Sequence, residues 1–71
     1  MFKDDYKKHV WMVQQRDTRA EAQSKIDEGY PEAVQLDWED ALIKPVSGAR
    51  ALWHYKRMEN KFRQVRVIKV A

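Results

Sequence analysis

The run Phe62–Val70, FRQVRVIKV, constrains this chain more than any other stretch. Its valines, isoleucine and phenylalanine suit a pleated, half-buried surface, so it reads as a strand. A strand must pair. The nearest candidate is Ala49–Arg57, which also looks extended and is separated from it by Met58-Glu59-Asn60-Lys61.

Charge can set the register of such a hairpin. Loops of two or four residues would place Arg50 opposite Lys69 and Lys56 opposite Arg63, two like-charge pairs. The three-residue loop Glu59-Asn60-Lys61 leaves only Arg57 opposite Arg63, with a left-handed residue near its end, a conformation Asn tolerates. Trp53, Tyr55, Val65 and Val67 then share one face. Leu52, Met58, Phe62 and Ile68 share the other with Arg50, His54, Lys56 and Arg66. A helical stripe through Ala51, Tyr55, Met58, Phe62 and Val65 competes with this reading and points to a small all-α bundle.

The clearest helix lies earlier. Thr18 with Glu21 three residues on is a capping box, in which hydroxyl and carboxylate each satisfy an orphan backbone donor. Arg19–Glu28 is rich in helix formers, Gly29 suits the C′ position, and Pro31 bars continuation. The apolar stripe is thin, Ala22 and Ile26 with Tyr30, so one narrow face packs and the rest is wet. Before this helix, His9–Gln15 reads as a strand, apolar on both faces at Val10–Val13 as a central strand would be. Met1–Lys8 reads as a loose start.

After the helix, Val34, Leu36 and Trp38 alternate with Gln35 and Asp37, the pattern of a half-buried strand. A helix from Pro31 to Lys44 is the competing reading. Ala41-Leu42-Ile43 would extend the strand past a bulge at Glu39-Asp40, and Pro45-Val46-Ser47-Gly48 would form a turn. The expectation is one small α+β domain over residues 1–71, β-α-β-β-β, with three to four antiparallel strands and one helix on a face. Trp11, Val13, Ala22, Ile26, Leu36, Trp38, Trp53, Tyr55, Val65 and Val67 would supply most of the core.

Composition narrows function by exclusion. With 71 residues the chain buries only about 60% of its unfolded surface, so a catalytic pocket has little room. There is no cysteine, hence no disulfide and no thiolate metal site. Ser24 and Ser47 lie in no nucleophile-elbow pattern, His9 and His54 are far apart, and two glycines make no phosphate-cradling loop. Asp37, Glu39 and Asp40 form an acidic knot, short of the converging oxygens a hard cation needs. The expectation is a non-enzyme without cofactor or metal, for which a small-molecule ligand is not anticipated. The charged start Met1-Phe2-Lys3-Asp4-Asp5 does not resemble a signal peptide, and no apolar run approaches the ~20 residues of a membrane span, so a cytoplasmic protein without membrane contact is expected.

Charge then points to partners. Residues 1–43 carry 6 basic and 10 acidic side chains, whereas residues 44–71 carry 8 basic and 1 acidic. Two binding surfaces follow. One is a basic hairpin bearing Arg50, Lys56, Arg57, Lys61, Arg63 and Arg66, interleaved with aromatics. The other is the acidic segment with Asp37, Glu39 and Asp40 around Trp38, suited to docking on a basic groove or sheet edge.

Ile43-Lys44-Pro45-Val46-Ser47-Gly48-Ala49, then Tyr55, then Glu59-Asn60-Lys61-Phe62 before a Val-rich end, resemble the tail of small RNA-polymerase-binding proteins. These are the bacterial epsilon subunit and the phage polymerase inhibitors. The element order is also similar to that of some small phage anti-CRISPR proteins. The resemblance covers the last third and carries over no functional residue. It implies a helix-on-sheet fold and a phage-type inhibitor whose partner is a host complex such as RNA polymerase or a nuclease. The charge split on a catalytically bare domain makes the leading expectation a non-enzymatic protein that modulates a nucleic-acid-processing machine, with the acidic segment and basic hairpin making the contacts. The second is direct, non-specific DNA or RNA binding by the basic hairpin.

Overall fold

The computed structural model describes residues 7–70, so most of the stretch expected to be a loose start lies outside the described residues. The fold is α+β, a three-stranded antiparallel sheet with two helices, and not an all-helical bundle. Strand β1, Trp11–Asp17, is central in the order β2-β1-β3. Its first three residues, Trp11, Met12 and Val13, are all buried, as a strand covered on both faces requires.

Helix α1, Arg19–Asp27, begins and ends as its sequence dictates. The Thr18 hydroxyl accepts the Glu21 N–H at 3.2 Å and donates to the Lys61 carbonyl at 2.8 Å. At the other end Gly29 has φ +90°. Its N–H bonds the Ile26 carbonyl and the Tyr30 N–H bonds the Lys25 carbonyl, the paired closure of a Schellman motif. Only Ala22 of this helix is buried, and Ile26, expected in the core, is 49% exposed.

The segment after α1 departs from expectation. Pro31–Ala33 is a single 3₁₀ turn, residues 34–38 are irregular, and strand β2 is only Glu39–Asp40, paired with Gln15 and Gln14. Asp17 explains why. Its backbone N–H donates to the Gln35 carbonyl, and its carboxylate accepts the Gln35 N–H, both at 2.8 Å. Gln35 is thus pinned beyond the end of the short ladder, and its side chain turns back to the Asp37 carbonyl at 2.7 Å. Leu36, expected inward, is 62% exposed. The anticipated continuation at Ala41–Ile43 also fails. Ala41 makes one bond to the Val13 carbonyl, and Ile43 is fully exposed.

The larger correction concerns Ala49–Arg57. It is not a strand but part of helix α2, Gly48–Met58, so the basic hairpin and its register do not exist. Topology supplies the reason. Strands β2 and β3 (Arg63–Lys69) both run antiparallel to β1 and therefore parallel to each other, with β1 between them. Parallel strands cannot be joined by a tight turn, so the connection crosses a sheet face as a helix. Locally, Ser47 caps α2 by accepting the Arg50 N–H at 3.2 Å. Gly48, Ala51, Leu52, Tyr55 and Met58 form the inward stripe at helical spacing. Glu59, Asn60 and Lys61 do turn the chain, into β3 rather than between two strands, and without a left-handed residue.

The register Trp11↔Lys69 to Asp17↔Arg63 brings the two ends of the described chain together. Side-chain alternation divides the sheet. Trp11, Val13, Val65 and Val67 face α2 and, with Ala51, Leu52, Tyr55 and Met58, build the core. Met12, Gln14, Arg16, Gln64, Arg66 and Ile68 take the second face. Trp53, expected in the core, is 50% exposed on the outer side of α2.

Candidate functional site

Because α2 buries one stripe, its remaining positions form another. Ala49, Arg50, Trp53, Lys56 and Arg57 are exposed together at helical spacing. The guanidinium carbon of Arg57 sits 4.5 Å from the Trp53 ring centroid and that of Arg50 5.8 Å from it. The indole face attracts cations, so the three side chains form a cluster held by their i, i+3 and i, i+4 spacing. His54 meets the Trp53 ring edge-on at 4.9 Å.

The charge of this stripe is uncompensated. Among the described residues Arg50, Lys56 and Arg57 make no ion pair with a carboxylate. Glu59 is the single acid between residues 44 and 71, and it engages the Tyr55 hydroxyl instead. That hydrogen bond, with the nearby negative charge, holds the Tyr55 phenol above its ordinary value. Lys56 and Arg57 lie in the last turn, where the helix dipole favours cations. Behind the stripe, the fully buried Ala51 seats the helix against the sheet.

The six basic residues singled out in the sequence therefore split three ways. Arg50, Lys56 and Arg57 stand together on α2. Lys61 lies in the following turn, its ammonium 5.0 Å from the Phe62 ring, and Arg63 opens β3. Arg66 is on the second sheet face.

The acidic residues are largely engaged with the sheet. Asp40 accepts from Gln14 at 2.9 Å and Glu39 from Gln15 at 3.4 Å, while Asp37 is exposed. Asp17, not among the site residues expected from the sequence, pairs with a cation, Lys25 at 2.8 Å. Burial pushes its carboxyl up, but the Lys25 hydrogen bond, the Gln35 N–H and the Lys25 charge outweigh this and hold it below its ordinary value. Among the described residues no three His, Asp or Glu side chains converge as a metal site. No helix there is long and apolar enough to cross a membrane.

Sequence reasoning missed two features. Trp53 was assigned to the core, although its spacing from Arg50 and Arg57 on a helical wheel would have placed it among the cations. Arg16 was not singled out at all. Its position beside Arg66 depends on the β1–β3 register, which joins residues about fifty positions apart and leaves no local signal. No family model, curated protein or solved structure matches the chain.

Proposed function

We propose that this chain is a small non-catalytic protein that binds single-stranded nucleic acid through the outer face of α2. The observation that carries the reading is the half-exposed Trp53 with Arg50 and Arg57 against its ring, beside Lys56, none of the three cations paired with a carboxylate among the described residues. Cations displace counterions from phosphates, and an exposed aromatic gives bases a sequence-tolerant stacking surface. The same contact gives the wider expectation a physical basis. A protein seated on the strand competes with a polymerase or nuclease complex for it, which would make the chain a modulator of that machine.

The test compares labelled oligothymidine binding by the wild type, by the triple variant Arg50→Gln, Lys56→Gln, Arg57→Gln, and by Trp53→Ala. The triple variant should lose most of the affinity. Trp53→Ala should weaken it by about 1–3 kcal/mol, the value of one base stack. An acidic protein partner is the contrary outcome. Binding of polyglutamate as tight as that of oligothymidine, and indifferent to Trp53→Ala, would remove the nucleic-acid reading.

A further inference from the structure

A second arginine–tryptophan cluster lies on the sheet face turned away from α2. The guanidinium carbons of Arg16 and Arg66 stand 4.4 and 4.5 Å from the centroid of the same Trp38 ring. They are therefore at most about 9 Å from one another, a separation comparable to the Debye length of about 8 Å at physiological salt. The register places them there: Arg16 lies opposite Gln64 and Arg66 opposite Gln14, so the two arginines are diagonal neighbours on one face.

Each fork is fixed through its Nε. Arg16 Nε donates to Gln64 Oε1 at 2.6 Å, and Arg66 Nε donates to Gln14 Oε1 at 2.9 Å. Gln14 in turn donates to Asp40 at 2.9 Å. Asp40 keeps its charge and its second oxygen, but neither arginine makes an ion pair with it or with any other carboxylate among the described residues. Among the described residues the Nη groups of both make no hydrogen bond. Two like charges held close, oriented, and left with free donors are poised for a divalent oxyanion.

We infer that Arg16 and Arg66, stacked on Trp38 and held by Gln14 and Gln64 as positioning residues, form a phosphate-binding site on the face opposite α2. This site is independent of the α2 reading, since no residue is shared. Phosphate supplies what the cluster lacks: two negative charges and several acceptor oxygens for two planar forks. The full dianion comes from an isolated phosphate or the monoester of a nucleotide; the phosphodiester of a strand offers the same oxygens with one charge and is the weaker source.

The experiment follows the three tryptophan indole N–H signals and the arginine Nε–H signals by nitrogen-15 NMR. Inorganic phosphate, thymidine 5′-monophosphate and oligothymidine are titrated separately, each against chloride at equal ionic strength. The expected result is saturable movement of the Trp38, Arg16 and Arg66 signals with inorganic phosphate and with the monophosphate. Trp11 should stay still. Movement of the same signals with oligothymidine, retained in the Trp53→Ala variant, identifies a strand phosphate as the source; movement with the first two ligands alone identifies a free phosphate or monoester.

Arg66→Lys keeps the charge but loses the fork and should weaken phosphate binding by about tenfold. Gln14→Leu should free the Arg66 Nε–H and weaken binding less. A well-dispersed spectrum confirms that each variant is folded. Should a variant fail to fold, the wild-type titration decides alone. Signals unmoved by phosphate, or moved equally by chloride, overturn the site.

Discussion

The two helices of this protein are defined in opposite ways. Helix α1 is specified at its ends and hardly at all by its face. It has the Thr18 cap, the Schellman closure at Gly29, and one buried residue, Ala22. Helix α2 is specified by its face. Gly48, Ala51, Leu52, Tyr55 and Met58 dock on Trp11, Val13 and Val65, and Ser47 adds a single cap bond. Caps are local and are read directly from the sequence. A packed face is a tertiary fact, and the residues that make it are equally at home in a strand. The helix held by its face is also the one that presents the cations, because a rigid, packed helix fixes what its outer stripe displays.

Four substitutions test this contrast, in descending order of expected effect. Ala51→Leu forces a larger side chain into a fully buried site beneath α2. It should cost about 1–3 kcal/mol, a drop in Tm of several degrees for a domain this small. Next, Thr18→Ala should cost about 1–2 kcal/mol, because it removes the cap of α1 and the tie to Lys61 together. Ser47→Ala should cost less, about 0.5–1 kcal/mol, since packing holds α2 in its absence. Thermal unfolding of the three variants gives the order directly. A Ser47→Ala loss exceeding that of Thr18→Ala would break the contrast. The smallest effect belongs to Ile26→Ala, below about 1 kcal/mol for a half-exposed side chain.

Acid sharpens the same picture around α1. The Asp17 carboxyl lies below its ordinary value in the fold, so its contribution to stability is complete above the unfolded value near 4. That contribution is lost as pH falls through the folded value. Lys25→Ala should lower stability at neutral pH and flatten its fall below about pH 4, as followed by urea midpoints across pH. A variant with the acid dependence of the wild type would show that the ion pair does not set it.

How much of this was legible in the sequence follows from the range of each signal. The central strand was visible because Trp11, Met12 and Val13 are apolar on both faces. Helix α1 was visible because Thr18, Glu21, Gly29 and Pro31 act within a few residues of one another. The run Phe62–Val70 was visible from β-branched content. The misreading of Ala49–Arg57 arose because alternation of Trp53 and Tyr55 with polar neighbours imitates a strand. What decides against it is the parallel relation of β2 and β3, known only once both have paired with β1. At the candidate site, Arg50, Lys56 and Arg57 were identified as cations, but their grouping around Trp53 needs the helix. The Arg16–Trp38–Arg66 cluster needs both the register and the irregular path of residues 34–38, which Asp17 imposes through Gln35.

The central claim is that the outer stripe of α2 acts on nucleic acid as a set of three cations and one stacking ring. Its most direct test is the salt dependence of oligothymidine affinity. With three phosphate contacts, log K should fall linearly with log salt at a slope of about −2, and the Arg50→Gln, Lys56→Gln, Arg57→Gln variant should abolish that slope. Absence of binding at about 20 mM salt, or an unchanged slope in the triple variant, would contradict it.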